Sequence, residues 1–286
     1  MSAVAEPFFL DDGSQAGQRF CLYTPAAAPC RGAFLYIHPF AEEMHKSRRM
    51  AALQARALAA LGYGVLQIDL LGCGDSAGDF ADARWENWKH DLAAGHRWLI
   101  DKLGVPVHLW GLRLGALLLL DYAQAPVAPP ASLLLWQPVQ NGKQFLTQFL
   151  RLQVANAMLG DSKSDGGKDA AASAGTSTAA LRAQLAAGTS LEVAGYELAP
   201  ALAAALDGID LASLPAPTVP VTWCEIVPSA ERPLPPVAAR QVAAWRDAGV
   251  ALHVELVPGL PFWSTQEITE CQPLLDATTT LFAKAL

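Results

Sequence analysis

Short apolar runs alternate along this chain with segments of helical periodicity. Runs rich in Val, Ile, Leu and aromatic residues each give way to a longer amphipathic stretch. Repeated strand–helix–strand units of this kind form a parallel sheet covered by helices on both faces. A hydrophobic fraction of 52% with 16% charged residues fits such a sheet. We therefore predict one α/β domain with strands over residues 33–37, 65–69, 107–110, 133–136, 221–227 and 252–257.

Four segments between and after these strands have helical spacing of their apolar residues. The first covers residues 50–61, and the second extends from a predicted N-cap at Asp82 to a C-cap at Gly104. The third begins at Pro235 and stops at Gly249, which follows the preference for proline at helix starts and glycine at helix ends. The fourth reaches the last residues of the chain, with a kink predicted at Pro273.

The alternation breaks between residues 145 and 214. Within this segment, residues 160–180 are rich in Gly, Ala, Ser and Asp and carry few apolar groups that could offset the entropy of ordering. We predict that residues 1–144 and 215–286 form the core of the fold. Residues 145–214 are predicted to form an inserted cap with a flexible segment.

Charge and composition restrict the partners and the compartment. A net charge of -7 provides no basic excess for a nucleic acid. The five cysteines, at positions 21, 30, 73, 224 and 271, show neither metal-ligand spacing nor a disulfide framework, so we expect reduced core cysteines, no bound metal and no cofactor. With no secretory signal and no apolar run long enough for a membrane span, we expect a cytoplasmic protein. The sequence gives no indication of oligomeric state.

Three motifs stand at the ends of predicted strands. The sequence G-L-R-L-G at 111–115 follows one strand and precedes an apolar helix, H-P-F at 38–40 follows another, and D-L-L-G-C-G-D-S at 69–76 follows a third. The first has the spacing of G-x-S-x-G, whose sharp turn presents a nucleophile above the sheet. In this order the motifs resemble those of the α/β-hydrolase fold. The resemblance implies a mostly parallel central sheet flanked by helices with an inserted cap.

A narrower resemblance rests on H-P-F-A-E-E at 38–43, G-L-R-L-G at 111–115 and G-L-P-F-W at 259–263. Together these segments resemble the exosortase A system-associated hydrolases of the second type, over nearly the whole chain and least in the cap. The resemblance implies a bacterial protein linked to exosortase sorting and exopolysaccharide gene clusters. It also implies a nominal hydrolase of ester, thioester or amide bonds.

The residues needed for serine hydrolysis are missing from their usual places. Arg113 stands at the nucleophile position, and its guanidinium stays protonated at any relevant pH. Phe262 stands where P-G-x-G-H usually presents a histidine, and the loop after residue 227 offers only Glu231 as an acid. Conventional Ser-His-Asp catalysis is therefore not predicted, and a pseudoenzyme becomes a serious alternative.

Three interpretations of Arg113 remain open. In the first, it forms an internal ion pair with Glu42, Glu43 or Glu225. In the second, Arg113 and the backbone amides from Leu114 onwards hold a carboxylate or phosphate of a small acidic or acyl-type ligand. In the third, the chain is an unconventional hydrolase that activates water beside Arg113.

The other candidate residues belong to these interpretations. His38, Glu42, Glu43 or Asp75 would activate the water of an unconventional hydrolase, although a strand-end histidine is more often structural. Trp136 and Trp263 end or follow strands and are expected to face the pocket, with core packing as the alternative. A nucleophilic role for Cys73 has little support, because no histidine lies near it in the sequence.

Overall fold

The computed structural model describes residues 4–11, 13, 17–161 and 177–284. In chain order, its strands are β1 (Glu6–Leu10), β2 (Arg19–Thr24), β3 (Gly32–Ile37), β4 (Tyr63–Ile68), β5 (Val107–Leu112), β6 (Leu133–Trp136), β7 (Leu191–Val193), β8 (Tyr196–Leu198), β9 (Val221–Val227) and β10 (Leu252–Pro258). Its helices are α1 (Glu42–Ala60), α2 (Trp85–Leu103), α3 (Leu114–Tyr122), α4 (Gly142–Asp161), α5 (Thr178–Ala186), α6 (Pro200–Gly208), α7 (Pro236–Asp247) and α8 (Gln272–Lys284). Short 3₁₀ helices lie at Phe80–Asp82 and Leu211–Ser213.

Eight of the strands form one sheet in the order β1-β2-β4-β3-β5-β6-β9-β10. From β4 to β10 all neighbours run parallel, whereas β2 is antiparallel to both β4 and β1. The six parallel strands are the six that the sequence predicted. The strands β1 and β2 and the small antiparallel hairpin β7–β8 were not predicted.

Successive side chains of each central strand enter two different cores. In β3, Leu35 and Ile37 pack in one core, whereas Phe34 and Tyr36 pack in the other. The first core is completed by α2, α3 and α7 and the second by α1 and α8. This two-sided burial confirms the predicted parallel sheet flanked by helices. None of the described helices is long and apolar enough to cross a membrane.

Three local predictions need correction. The N-cap of α2 is Arg84, because Asp82 instead belongs to the preceding 3₁₀ helix, where its carboxylate accepts a hydrogen bond from the amide of Asp79 at 2.9 Å. Pro273 is the second residue of α8, where its missing N–H costs no intrahelical bond, so no kink is required. Cys30 is exposed, whereas the other four cysteines are buried.

The segment between β6 and β9 contains α4, α5, the β7–β8 hairpin and α6. Helix α4 packs against α5 and α6, and β8 packs against the 3₁₀ helix at 80–82, where the rings of Tyr196 and Phe80 are 5.1 Å apart. The cap boundaries at residues 145 and 214 stay a prediction. Most of the segment predicted to be flexible, residues 162–176, lies outside the described residues.

Helix α3 approaches strand β3 so closely that Gly115 cannot carry a side chain. A Cβ atom on Gly115 would overlap the carbonyl oxygens of Ile37 and His38. On the strand side of the same turn, a Cβ on Gly111 would come within 2.6 Å of the Cα of Ala116. Both glycines of the G-L-R-L-G motif are thus required by contact with backbone.

We expect Gly115→Ala to destabilise the protein by at least about 1–3 kcal/mol, the usual cost of overpacking, because β3 and α3 must separate. Chemical denaturation measures the free energy of unfolding. The control is Gly208→Ala at the end of α6, where an added Cβ meets no atom within 4 Å. Equal stability of the two variants would contradict the close contact of α3 with β3.

Candidate functional site

Arg113 occupies the turn between β5 and α3. Its backbone has φ 55° and ψ -118°, a conformation that is strained for any residue except glycine. Two hydrogen bonds fix the turn: the amide of Arg113 donates to the carbonyl of Trp136 at 3.0 Å, and the amide of Val139 donates to the carbonyl of Arg113 at 3.2 Å. The loop after β6 therefore holds Arg113 at the carboxyl edge of the sheet.

A second turn of the same geometry brings two carboxylates to this edge. Ala41, which precedes α1, has φ 50° and ψ -126°, so Glu42 and Glu43 form the first turn of the helix. The positive end of the α1 dipole favours carboxylates there. The first turn of α3, in contrast, begins at a cation, which its dipole disfavours. A carboxylate from α1 beside Arg113 offsets that cost.

Glu43 is the carboxylate that contacts Arg113. Both the Nε and the Nη2 of Arg113 donate to Oε1 of Glu43, each at 3.4 Å. Oε2 of Glu43 is buried and has no hydrogen-bond partner in the described part of the chain. Burial raises the pKa of the Glu43 carboxyl, and the nearby Arg113 only partly opposes this. The pair is therefore long and leaves acceptor capacity unused.

Aromatic rings flank the guanidinium of Arg113. Its Cζ lies 5.0 Å from the ring centroid of Trp263 and 6.0 Å from that of Phe145, distances typical of cation–π contacts. The space beside Arg113 is a cavity of about 290 Å³, which we call the aromatic cavity. Its lining consists of Phe40, Glu42, Glu43, Arg113, Phe145, Gln148, Phe149, Leu152, Trp263 and Ser264.

A second cavity, of about 240 Å³, also includes Arg113 in its lining. We call it the amide cavity, because carboxamides provide much of its lining. The lining residues are Arg113, Gln137, Pro138, Val139, Gln140, Asn141, Gln144, Phe145, Gln148, Glu225, Pro235 and Val237. Arg113, Phe145 and Gln148 line both cavities, so the guanidinium lies between an aromatic and a polar space.

Glu225 is held in the amide cavity by the protein itself. Its Oε2 accepts from Nε1 of Trp223 at 2.8 Å, and its Oε1 accepts from Nε2 of Gln137 at 2.9 Å. Burial raises the pKa of the Glu225 carboxyl, whereas these two hydrogen bonds and the charge of Arg113 lower it. Glu43, not Glu225, therefore forms the ion pair with Arg113.

Trp136, which was expected to face either the pocket or the core, and Phe262, at the usual histidine position, both lie in the core. The ring of Trp136 is fully buried between the sheet and α8, where its Nε1 donates to Oγ1 of Thr278 at 3.1 Å. Phe262 is also fully buried and packs in the same core, 6.4 Å from Trp136 between ring centroids. For Trp136 the structure therefore selects core packing, the alternative that the sequence left open. The last loop presents Trp263, not Phe262, to Arg113.

His38 has both ring nitrogens occupied. Its Nδ1 is 2.7 Å from the carbonyl oxygen of Pro39, and its Nε2 accepts from the amide of Leu70 at 3.2 Å. Burial lowers the pKa of the imidazole, so the ring is neutral with the proton on Nδ1. The ring lines a small apolar space that also includes Leu114 and Cys73. This arrangement favours the structural interpretation of His38.

Asp75 and Cys73 lie in the turn after β4, away from the lining of both cavities. Asp75 is exposed, and its amide donates to Oδ2 of Asp69 at 3.1 Å. The same oxygen of Asp69 accepts from Nη2 of Arg48 at 2.8 Å, so the turn is fixed by an ion pair. Burial raises the pKa of the Cys73 thiol, which keeps the sulfur protonated. Neither residue is brought close to Arg113.

Sequence reasoning missed the contribution of α4. Phe145 and Gln148 lie in its first turns and line both cavities, while Phe149 and Leu152 line the aromatic one. The apolar spacing at the start of the segment predicted as a cap is typical of a helix. Such spacing does not show which surface the helix covers.

The lining of the two cavities contains no histidine. It contains one hydroxyl, that of Ser264, which donates to the carbonyl of Pro261 at 3.1 Å. Within the described ranges, no three His, Cys, Asp or Glu side chains are placed to hold a metal ion. The chemical groups available around Arg113 are therefore carboxylates, carboxamides and aromatic rings.

Comparison with known proteins supports the fold. No protein-family model and no curated protein sequence matches the chain. Among solved structures, Est1E from Butyrivibrio proteoclasticus with ferulic acid bound is 15% identical, with 97% of each chain covered and a TM-score of 0.64. A soluble variant of monoglyceride lipase from Saccharomyces cerevisiae, in complex with a substrate analog, is 16% identical, with 99% of this chain and 96% of that chain covered and a TM-score of 0.62.

A thermostable carboxyl esterase from Bacillus coagulans, in complex with glycerol, is 13% identical over 100% of this chain and 98% of that chain, with a TM-score of 0.61. At such identities the likeness concerns the fold alone. The chain therefore has the α/β-hydrolase fold that its motifs predicted.

Truncating Phe262 and truncating Leu260, two residues of the last loop, are expected to change the stability of the protein to different extents. Phe262→Ala should destabilise the protein by about 3–5 kcal/mol, because it empties a fully buried ring site. Leu260→Ala, two residues earlier at a side chain that is 61% exposed, should change stability by no more than about 0.5 kcal/mol. Urea unfolding measures both. A Phe262→Ala protein as stable as the Leu260→Ala protein would show that Phe262 does not pack in the core.

Proposed function

We propose that this chain is a non-hydrolytic member of the α/β-hydrolase fold that binds a small carboxylate at Arg113. We further propose, from the motifs at 38–43, 111–115 and 259–263, that it is a bacterial, cytoplasmic protein of the exosortase A system-associated type, encoded among exopolysaccharide genes. The neighbouring folds are those of esterases and lipases. We infer that this chain shares the strand-to-helix turn of that fold, but that Arg113 at the apex of the turn binds a ligand instead of attacking a substrate.

The observation that carries this proposal is the unused hydrogen-bonding capacity of Arg113. A guanidinium has five N–H donors in a planar fork that matches a carboxylate. Only two long hydrogen bonds, both to one oxygen of Glu43, engage it within the described part of the chain. Arg113 also faces two cavities. A carboxylate placed there would use the remaining donors, and its apolar part would contact Trp263 and Phe145.

The hydrolase interpretation gains less from the same geometry. An activated water needs a general base within hydrogen-bond reach. Of the four candidates, His38 is neutral and doubly hydrogen-bonded and Asp75 is exposed in another turn. Of these four candidates, only Glu42 and Glu43 line the aromatic cavity, and Glu43 forms an ion pair with Arg113. Recognition of an anion by Arg113 requires no general base.

The internal ion pair is the main competing account. It explains the contact of Arg113 with Glu43, but not the long 3.4 Å distances or the buried Oε2 of Glu43 without a partner. A purely structural pair would make no use of the cavities on either side. The two accounts differ in what happens when a carboxylate is added, which the following measurements address.

We expect cyclohexanecarboxylate to bind the purified protein in isothermal titration calorimetry, with its neutral analogue cyclohexanecarboxamide binding at least roughly tenfold more weakly, because hydrogen bonds to charged groups are the stronger class. Arg113→Gln should abolish this preference. Inorganic phosphate tests a second anion at the same site. The control is Arg56→Gln, which removes an equal charge from an exposed position of α1, about 20 Å along the helix from Glu43.

Two results would contradict the proposal: neither anion binds the unaltered protein, or both anions bind Arg113→Gln as tightly as they bind the unaltered protein. Arg113 would then hold no ligand, and its ion pair with Glu43 would be purely structural.

Binding should also strengthen as the pH falls, over the range in which the ligand carboxylate stays ionised. Burial raises the pKa of the Glu43 carboxyl, and an anion on Arg113 would raise it further, so binding is coupled to proton uptake. Glu43→Gln should therefore bind more tightly at pH 8 and lose this part of the pH dependence. Calorimetry at several pH values measures it, with Glu42→Gln as the neighbouring control. A dependence unchanged in Glu43→Gln would contradict the coupling.

A further inference from the structure

The amide cavity has a chemistry that the binding of a simple carboxylate does not use. We propose that it is a subsite for a polyhydroxylated group, so that the ligand of Arg113 is a sugar acid. This inference rests on the proposed function, since the carboxylate of the same ligand would bind Arg113. It adds the chemical class of the remainder of the ligand.

Carboxamides dominate the polar part of this lining. They belong to Gln137, Gln140, Asn141, Gln144 and Gln148. Each carboxamide has both a donor and an acceptor, which is what a hydroxyl group requires of its partners. Arg113 is the only cation among the lining residues, so the cavity suits one anionic group at most. Pro138, Val139, Phe145 and Pro235 provide apolar surface for the C–H faces of a ring.

Two of the five carboxamides form the fixed frame of the cavity. The Oε1 of Gln137 accepts from the amide of Ile226 at 2.6 Å, while its Nε2 donates to Glu225. Asn141 donates from Nδ2 to Asp210 at 2.6 Å, and its Oδ1 accepts from the amide of Gln144 at 2.8 Å. The second of these bonds caps the start of α4. Both side chains are thus committed to positioning their neighbours.

The other three carboxamides are unengaged. No hydrogen bond from the side chains of Gln140, Gln144 or Gln148 to any described residue is present in the structure. Gln144 and Gln148 are one helical turn apart on α4, so they share the face that covers the cavity. Gln148 also lines the aromatic cavity beside Arg113. A row of free carboxamides therefore extends from the guanidinium across the amide cavity.

Spacing decides between a polyol and a single polar group. Side chains at i and i+4 of a helix are about 5–6 Å apart at their Cβ atoms, so two carboxamides can reach different hydroxyls of one six-membered ring. The carboxylate of a uronic acid is attached directly to such a ring. With that carboxylate on Arg113, the ring hydroxyls fall within reach of the α4 glutamines, whereas Glu225 already has both oxygens occupied.

Glutamines on a helix surface often face solvent and bind nothing. Helix α4 also carries a glutamine away from the cavities, which serves as a control for such a residue. Gln153 lies about two and a half turns beyond Gln144 and is therefore on the opposite side of the helix. It is absent from the lining of both cavities. Gln153→Leu and Gln144→Leu thus change the same kind of residue on opposite sides of one helix.

The test compares three ligands of similar ring size by isothermal titration calorimetry. A sugar acid (D-glucuronate, D-galacturonate or D-mannuronate) has both groups, cyclohexanecarboxylate has the carboxylate alone, and methyl α-D-glucopyranoside has the hydroxyls alone. We expect at least one sugar acid to bind roughly tenfold more tightly than cyclohexanecarboxylate, because two net hydrogen bonds are gained. Methyl α-D-glucopyranoside should bind more weakly than that sugar acid.

The variants separate this inference from the proposed function. Gln144→Leu, whose side chain lines the amide cavity and not the aromatic cavity, should reduce the advantage of the sugar acid while binding cyclohexanecarboxylate as before, and Gln153→Leu should match the unaltered protein. Circular dichroism melting curves confirm that each variant is folded. If cyclohexanecarboxylate binds through Arg113 as tightly as every sugar acid, or if Gln144→Leu keeps the full advantage, the subsite is overturned and the carboxylate site stands. If no carboxylate binds, both proposals fail.

Discussion

The close approach of α3 to β3 is the constraint on which the site depends. Together with the packing of α3 on the end of β5, it leaves no room for a side chain at Gly115 or Gly111, and Arg113, midway between them, has a positive φ. In such a turn the side chain at the apex projects from the edge of the sheet, whatever its chemistry. A guanidinium there meets the first turn of α1, the loop after β6 and the last loop at once. The fold therefore fixes the position of Arg113, and its neighbours decide what that charge can do.

Those neighbours give the site an unusual electrostatic balance. One cation is surrounded by Glu43, at hydrogen-bonding distance, and by Glu42 and Glu225 in the walls of the cavities. Burial raises the pKa of the Glu43 and Glu225 carboxyls, so both take up a proton more readily than exposed carboxyls do. Arg113 cannot be neutralised in the same way. In the proposed function, proton uptake by Glu43 would release Arg113 to hold the carboxylate of the ligand.

Much of the fold could be predicted from the sequence, because a parallel sheet buried on both faces produces the apolar runs that mark its strands. The same burial hides which face each side chain occupies. Trp136 was expected in the pocket, yet its strand is apolar at every position, so nothing in the sequence separates it from Leu135. Strand β2 was missed because it includes Arg19, a buried charged residue that forms an ion pair with Asp91 at 2.7 Å. Likewise, the sequence could not show which of Glu42, Glu43 and Glu225 pairs with Arg113, because the turn at Ala41 places Glu43 beside the guanidinium.

The residues around Arg113 that sequence motifs did not reveal come mainly from α4. This helix starts after the core strand β6, is capped by Asn141, and lays Phe145 and Gln148 across the carboxyl edge of the sheet. It thereby divides one crevice into an aromatic and a polar half, both in contact with the same guanidinium. A hydrolytic site needs a nucleophile with a base in line on one side. In the proposed function, two differently lined halves around a permanent cation would discriminate between ligands by their substituents, since each half would reject groups that leave its polar or apolar surface unmatched.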